Sequence, residues 1–221
     1  MRINAYIALA TGLSRRQADS LISQGKVSIG STLAELGMQV QAGSQVTLDN
    51  KVLKLPDKRV TILLNKPAGF VVSRKGQGAK TIYDLLPEKY SALKPIGRLD
   101  KESSGLIMLT NDGKLANSLT HPSMAKQKVY QITLDKPLTS VAKSQINQGV
   151  RLEDGLSHLK IGNLSPDSRS MSVTMSEGRN RQIRRTFASL GYQVTKLHRI
   201  KFGQFSLTNL KNGQWLELKS E

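Results

Sequence analysis

What most constrains this chain is the order of its strand-length and helix-length segments. Residues 60–65 (VTILLN) and 106–109 (LIML) are apolar runs of the length a buried strand needs, bounded by glycine, proline and charge. Residues 70–73 and 129–134 read as further strands. Between them lie short helical patterns at 81–86, 112–119 and 141–149, and a strongly basic one near 181–190. The helix over 112–119 should stop at His121-Pro122, because a residue before proline avoids the helical region. Strands and helices intermix without the regular alternation of a doubly wound sheet. The pattern predicts an α+β fold on a mostly antiparallel, mixed sheet with flanking helices.

The front of the chain reads as a separate small α/β module. Ser14 followed by Gln17 is a capping box, Ala18, Leu21 and Ile22 form one apolar stripe, and Gly25 is placed to end the helix. Ile3, Ile7 and Ala10 mark an earlier helix over 1–10, and short strands are expected at 26–29 and 45–48. Residues 55–59 (LPDKR) are poor in apolar side chains and contain a proline. The expected division is therefore a first domain over 1–55, a linker over 56–59 and a second domain over 60–221.

Charge sets the class of partner. The 221 residues hold 33 Lys and Arg against 16 Asp and Glu, a net charge of +17. Self-repulsion of that size opposes a compact state, and a polyanionic partner is its usual counterpart. No cysteine is present, which removes disulfides, thiolate metal sites and thiol nucleophiles. The three histidines are scattered, so no metal site is expected. No run approaches the roughly 18 apolar residues of a membrane span. The expectation is a cytoplasmic, monomeric protein with no membrane association and a nucleic-acid partner.

Three segments carry candidate chemistry. In GRLDKESSGL, residues 97–106, Asp100 sits in a glycine-bounded loop at the edge of an apolar run. It could be a turn carboxylate, a catalytic one, or half of a glycosidase-like pair with Glu102. In the basic segment 178–201, Ile183, Phe187 and Leu190 follow helical spacing and define a buried face. Arg181 and Arg185 then project to the solvated side, while Arg184 flanks the apolar stripe and calls for a buried partner, a carboxylate by preference. In KVYQITL, alternation puts Lys128 and Tyr130 on one strand face, where Tyr130 can pack in the core or stack on a base. Arg15 and Arg16 stand in the first turn of the capped helix, where a helix N-terminus and two guanidiniums suit phosphate.

RINAYIALATGLSRRQADSLISQGKVSIG resembles an S4 RNA-binding module, departing at Ser28-Ile29-Gly30 where V-N-G is common after the lysine. LLNKPAGFVVS, GRLDKESSGLIMLTNDG, KVYQITL and EGRNRQIRRTF, in that order, resemble the motifs of RNA pseudouridine synthases of the RsuA/RluB type. Ser103 and Thr186 stand where threonine and methionine are common in that family. The resemblance implies isomerisation of uridine to pseudouridine in structured, pre-ribosomal RNA, without a cofactor or metal. It implies Asp100 as the catalytic aspartate, Tyr130 as the ring against the target base, Arg184 as the partner of Asp100, and Ile183 in the pocket wall. Arg98 is expected to contact the substrate. Arg15, Arg16, Lys26, Lys66, Lys128, Arg181 and Arg185 are expected RNA contacts, with Lys66 alternatively bracing a loop. DGKLANSLTHPS looks more like the large-subunit branch, which favours 23S over 16S ribosomal RNA. The competing reading is a non-catalytic S4-type RNA-binding or ribosome-assembly protein.

Overall fold

The computed structural model describes residues 1–121, 124, 126–207 and 209–218. The chain divides into two compact units, Met1–Val60 and Thr61–Glu221.

In the first unit, helix α1 (Ile3–Thr11) buries Ile3, Ile7 and Ala8 and ends at Gly12 in the left-handed region. Helix α2 (Arg15–Ser23) opens with both halves of the Ser14–Gln17 capping box formed and buries Ala18 and Ile22. That cap is worth about 1 kcal/mol. Strands β1 (Val27–Ile29), β2 (Thr32–Leu33), β3 (Val46–Leu48) and β4 (Lys51–Val52) form an antiparallel sheet in the order β2-β1-β3-β4. Ile3, Ile7, Ala18, Ile22, Val27 and Val46 make a common core between helices and sheet.

The second unit is built on a mixed sheet. Its central strands are β5 (Thr61–Lys66), β7 (Ser104–Thr110), β8 (Lys128–Leu134) and β13 (Val194–Phe202), with β6 (Lys94–Ile96) paired to β7. Strands β9 (Val150–Leu152) and β10 (Gly155–Ser157) form a separate hairpin. β11 (Lys160–Gly162), β12 (Ser170–Met175), β14 (Phe205–Ser206) and β15 (Trp215–Leu218) complete the set. The sheet runs β11-β12-β8-β13-β7-β5-β15, and only β7 and β13 pair in parallel among the described residues. Every residue of β5 is buried, as a strand covered on both faces requires. Helices α3 (Gly113–Thr120), α4 (Ser140–Gln148) and α5 (Gln182–Ala188) flank the sheet. Leu115, Ala116 and Leu119 of α3 pack over Leu63, Leu106, Met108 and Phe202.

One row of paired residues crosses the centre of the sheet. Tyr130 on β8 faces Arg199 on β13, Arg199 faces Gly105 on β7, and Gly105 faces Lys66 on β5. Residues paired in register present side chains to the same face. Three motifs distant in sequence are thereby brought side by side.

Four sequence expectations are corrected. Residues 70–73 do not form a strand: within them only Val71 makes a bridge, a parallel one to Thr81. The segment over 81–86 is a 3-10 turn (Ile82–Leu85), held by a reciprocal cap between Thr81 and Asp84. The basic helix begins at Gln182, not Arg181, which precedes it with φ 45°. Asp112, expected as the first residue of the helix over 112–119, instead caps α3, its side chain accepting from the amides of Lys114 and Leu115. Pro122, expected to stop it, lies outside the described residues.

Candidate functional site

The loop from Gly97 to Ser103 links β6 to β7 and forms part of the wall of a cavity of about 370 Å³. That volume falls within the roughly 300–1,000 Å³ of sites for small ligands or a single base. Asp100, Arg98 and Ser103 come from the loop, Lys128 and Tyr130 from β8, Arg181 and Ile183 from the start of α5, and Leu197, Arg199 and Phe202 from β13. The cavity is graded in depth. Arg98 is exposed, the Asp100 side chain is 34% exposed, Tyr130 is 8% exposed and Arg199 is 2% exposed.

The loop is pinned from behind by Lys66. Its ammonium, fully buried, donates to the carbonyls of Pro67 at 2.8 Å and Ser103 at 2.7 Å. The Gly69 amide adds a 2.7 Å bond to the Lys101 carbonyl. Of the two expectations for Lys66, its burial excludes the RNA contact, and its hydrogen bonds to backbone carbonyls fit the bracing of the loop. Burial pushes its pKa down to about 8, with Asp100 and Glu102 pulling the other way.

That shift has a signed consequence for stability. The unfolded lysine holds its proton to about 10.4, whereas the folded one releases it near 8. Between those values the unfolded state binds more protons, so this group makes stability rise with pH, and its full penalty applies below 8. Lys66→Met should remove the rise, so that the change in stability from pH 7.5 to 10 differs by about 2 kcal/mol between the two proteins. Urea unfolding at pH 7.5 and 10 reads it, and parallel slopes would contradict the buried ammonium.

Two arginines exchange their expected places. Arg184 is directed to the Val194 carbonyl, Nη1 donating at 2.5 Å, and burial lowers its pKa with Arg181 adding to the effect. Arg181, expected on the solvated side, instead places Nη1 3.7 Å from Asp100 Oδ2 and 3.1 Å from Glu102 Oε2. The cause is backbone conformation. Arg181 is left-handed and precedes the helix, so helical spacing does not give its direction. Glu102 is ion-paired with Arg181, and its pKa is lowered first by a hydrogen bond from its own backbone amide and then by Arg181.

The remaining expected contacts sort by what they already bind. Arg185 meets Asp154 at 2.6 Å and donates from Nε to the Asn180 carbonyl. Arg179, not singled out from sequence, ties the β9–β10 hairpin to the segment before α5 through the Asp154 side chain and the Leu156 carbonyl. Lys128 donates to the Glu177 carbonyl at 3.0 Å and lies 5.5 Å from the Phe202 ring centre. Burial lowers its pKa, with Arg199 contributing. Lys128 also lines a second, wider groove of about 1080 Å³, along with Lys126, Lys160 and Arg179. In the first unit Arg15, Arg16 and Lys26 are exposed.

Arg199 was missed in the sequence, although a signal existed. In VTKLHRIKF the alternation puts Arg199 in phase with Leu197, an arginine among inward positions. No group of three or more potential metal-ligating side chains occurs among the described residues. No helix of the described residues is long and apolar enough to cross a membrane.

The sequence profile of the RNA pseudouridylate synthase family matches residues 60–189. The dual-specificity RNA pseudouridine synthase RluF of Salmonella typhi is 36% identical, over 100% of this chain and 76% of its own. The ribosomal large subunit pseudouridine synthase B of Bacillus subtilis is 35% identical, over 98% of this chain and 91% of its own. A crystal structure of a pseudouridylate synthase superposes with a TM-score of 0.72 at 31% identity, covering 99% of this chain and 96% of that one. The chain belongs to the RNA pseudouridylate synthase family and is an isomerase of uridine in RNA.

Proposed function

We propose that the chain converts a particular uridine of structured ribosomal RNA to pseudouridine, with Asp100 as the catalytic residue. The observation that carries this is the placement of Asp100 at the mouth of the cavity, ion-paired with Arg181, with Tyr130 deeper in the same wall. The target nucleotide leaves its stack, at a cost of a few kcal/mol, and enters base first. Tyr130 replaces part of the lost stacking and assists removal of the C5 proton. Ile183 contributes apolar wall, and the exposed Arg98 meets the RNA backbone at the mouth.

Asp100 then acts on the ribose, either attacking C1′ or taking the 2′ proton, and the N1–C1′ bond breaks. The freed base turns and rejoins through C5. Substrate and product are isomers, so the stoichiometry requires no cofactor. Arg181 orients the carboxylate, and the Lys66 clamp holds the loop that carries it. Incubation with uridine-labelled ribosomal RNA should yield pseudouridine on nucleoside chromatography and no free uracil. Free uracil would instead favour hydrolysis by Asp100 with Glu102.

The large ribosomal subunit is the proposed source of the substrate, in keeping with the name of the Bacillus subtilis relative. The basic groove beside the cavity suits the strand that flanks the target. The first unit is proposed to be an S4-type anchor, its capped helix carrying Arg15 and Arg16 at the N-terminus with Lys26 nearby in sequence. Replacing Arg15 and Arg16 together by Glu should weaken RNA binding about ten-fold or more and flatten its salt dependence. Filter binding at two salt concentrations measures both, and unchanged affinity would count against the anchor.

A further inference from the structure

Arg199 is a buried cation that the chemistry of Asp100 and Tyr130 does not use. It is 2% exposed and lines the cavity. Its Nε donates to the Leu106 carbonyl at 2.7 Å, and its guanidinium carbon lies 5.1 Å from the Phe202 ring centre. Nη2 is buried and has no hydrogen-bond partner among the described residues. Such a donor in a protein interior is costly unless something satisfies it. The register sets Arg199 beside Tyr130, on the same face of the sheet.

We propose that Arg199 is a uracil-binding catalytic residue, whose guanidinium donates to a ring carbonyl oxygen of the flipped base. The inference rests on the reading that Asp100 acts on the ribose of a uridine in this cavity. Depth distinguishes base from phosphate. Asp100 fixes the sugar near the mouth, where phosphates meet exposed cations such as Arg98, whereas Arg199 lies at the buried end that the base reaches.

The position also fits the charge that the reaction generates. When N1–C1′ breaks, its electron pair stays with the base and spreads over N1, O2 and O4. The balancing event is at the sugar, where Asp100 bonds to C1′ or takes the 2′ proton and gives it back on rejoining. C5 then supplies the pair for the new bond to C1′, its proton leaves and N1 gains one. Between those steps a fixed guanidinium in a site shielded from water stabilises the anionic base more than the neutral one.

The test pairs protein and substrate changes in single-turnover reactions, using RNA with uridine, 2-thiouridine or 4-thiouridine at the target position. Sulfur accepts hydrogen bonds poorly, so the wild-type protein should slow roughly ten-fold on one of the two thio RNAs. Arg199→Met should react about 100-fold or more slowly on uridine. It should lose its discrimination against that same thio RNA, with the loss falling on the single-turnover rate more than on RNA affinity. Arg199→Lys, which keeps the charge, should recover part of the rate. Wild-type turnover that is equal on all three RNAs would overturn the proposal without any variant. So would a slowed Arg199→Met that keeps the full thio sensitivity. Asp100→Asn run in parallel separates the two levels: its inactivity leaves Arg199 judged on its own results, and its activity would remove the underlying reading as well.

Discussion

Asp100→Asn is expected to abolish pseudouridine formation, by about 10⁴-fold or more, while RNA binding changes less than about three-fold. The asymmetry follows from geometry. The carboxylate lies at the cavity mouth with Arg181 Nη1 3.7 Å from Oδ2, and Arg181 keeps a second carboxylate, Glu102, at 3.1 Å. Losing the Asp100 charge leaves the loop held by the Lys66 ammonium and by the Gly69–Lys101 bond, neither of which uses that side chain. Asparagine is nearly isosteric but can neither attack C1′ as an anion nor accept the 2′ proton. Single-turnover assays and filter binding on the same preparation check both halves. A variant within ten-fold of wild-type turnover would remove Asp100 from the chemistry.

The largest effect on stability is expected from Gly105→Ala. Gly105 has φ 105°, a conformation unfavourable to any side chain, and it pairs with Arg199 across the parallel β7–β13 junction. An added Cβ would collide with the carbonyl oxygen, amide nitrogen and carbonyl carbon of Arg199, all backbone atoms that no rotamer change can move. Strain of roughly 1–3 kcal/mol and overpacking of similar size combine to about 2–6 kcal/mol. Both the Asp100 loop and β13 would shift, so activity should fall with stability. Gly97→Ala is the control, since φ there is 73° but a Cβ would meet nothing within 4 Å. It should cost only about 1–2 kcal/mol. Comparable urea midpoints for the two variants would contradict the close-approach account.

Much of this was readable in the chain because local rules decided it. The Ser14 cap and the buried strands around VTILLN and LIML depend on neighbours a few residues away. The sequence also pointed to the Asp100 loop, Tyr130 and Ile183, which line one cavity. Arg181 could not be placed, because helical spacing says nothing about a residue that precedes the helix in a left-handed conformation. For Lys66 the sequence left RNA contact and loop bracing both open, because its partners are backbone carbonyls, which no side-chain pattern records. Arg199 acquires its place from the register of β13 between β7 and β8. Those pairings join Arg199 to residues 94 and 69 positions away, Gly105 and Tyr130, and are a property of the sheet, not of any segment.

The central claim is best tested by mapping pseudouridines in full-length 23S and 16S ribosomal RNA transcripts after incubation with the wild-type protein and with Asp100→Asn. The account predicts one new pseudouridine with the wild-type protein, in the large-subunit RNA, and none with the variant. No new pseudouridine in either RNA, or the same one with Asp100→Asn, would contradict it.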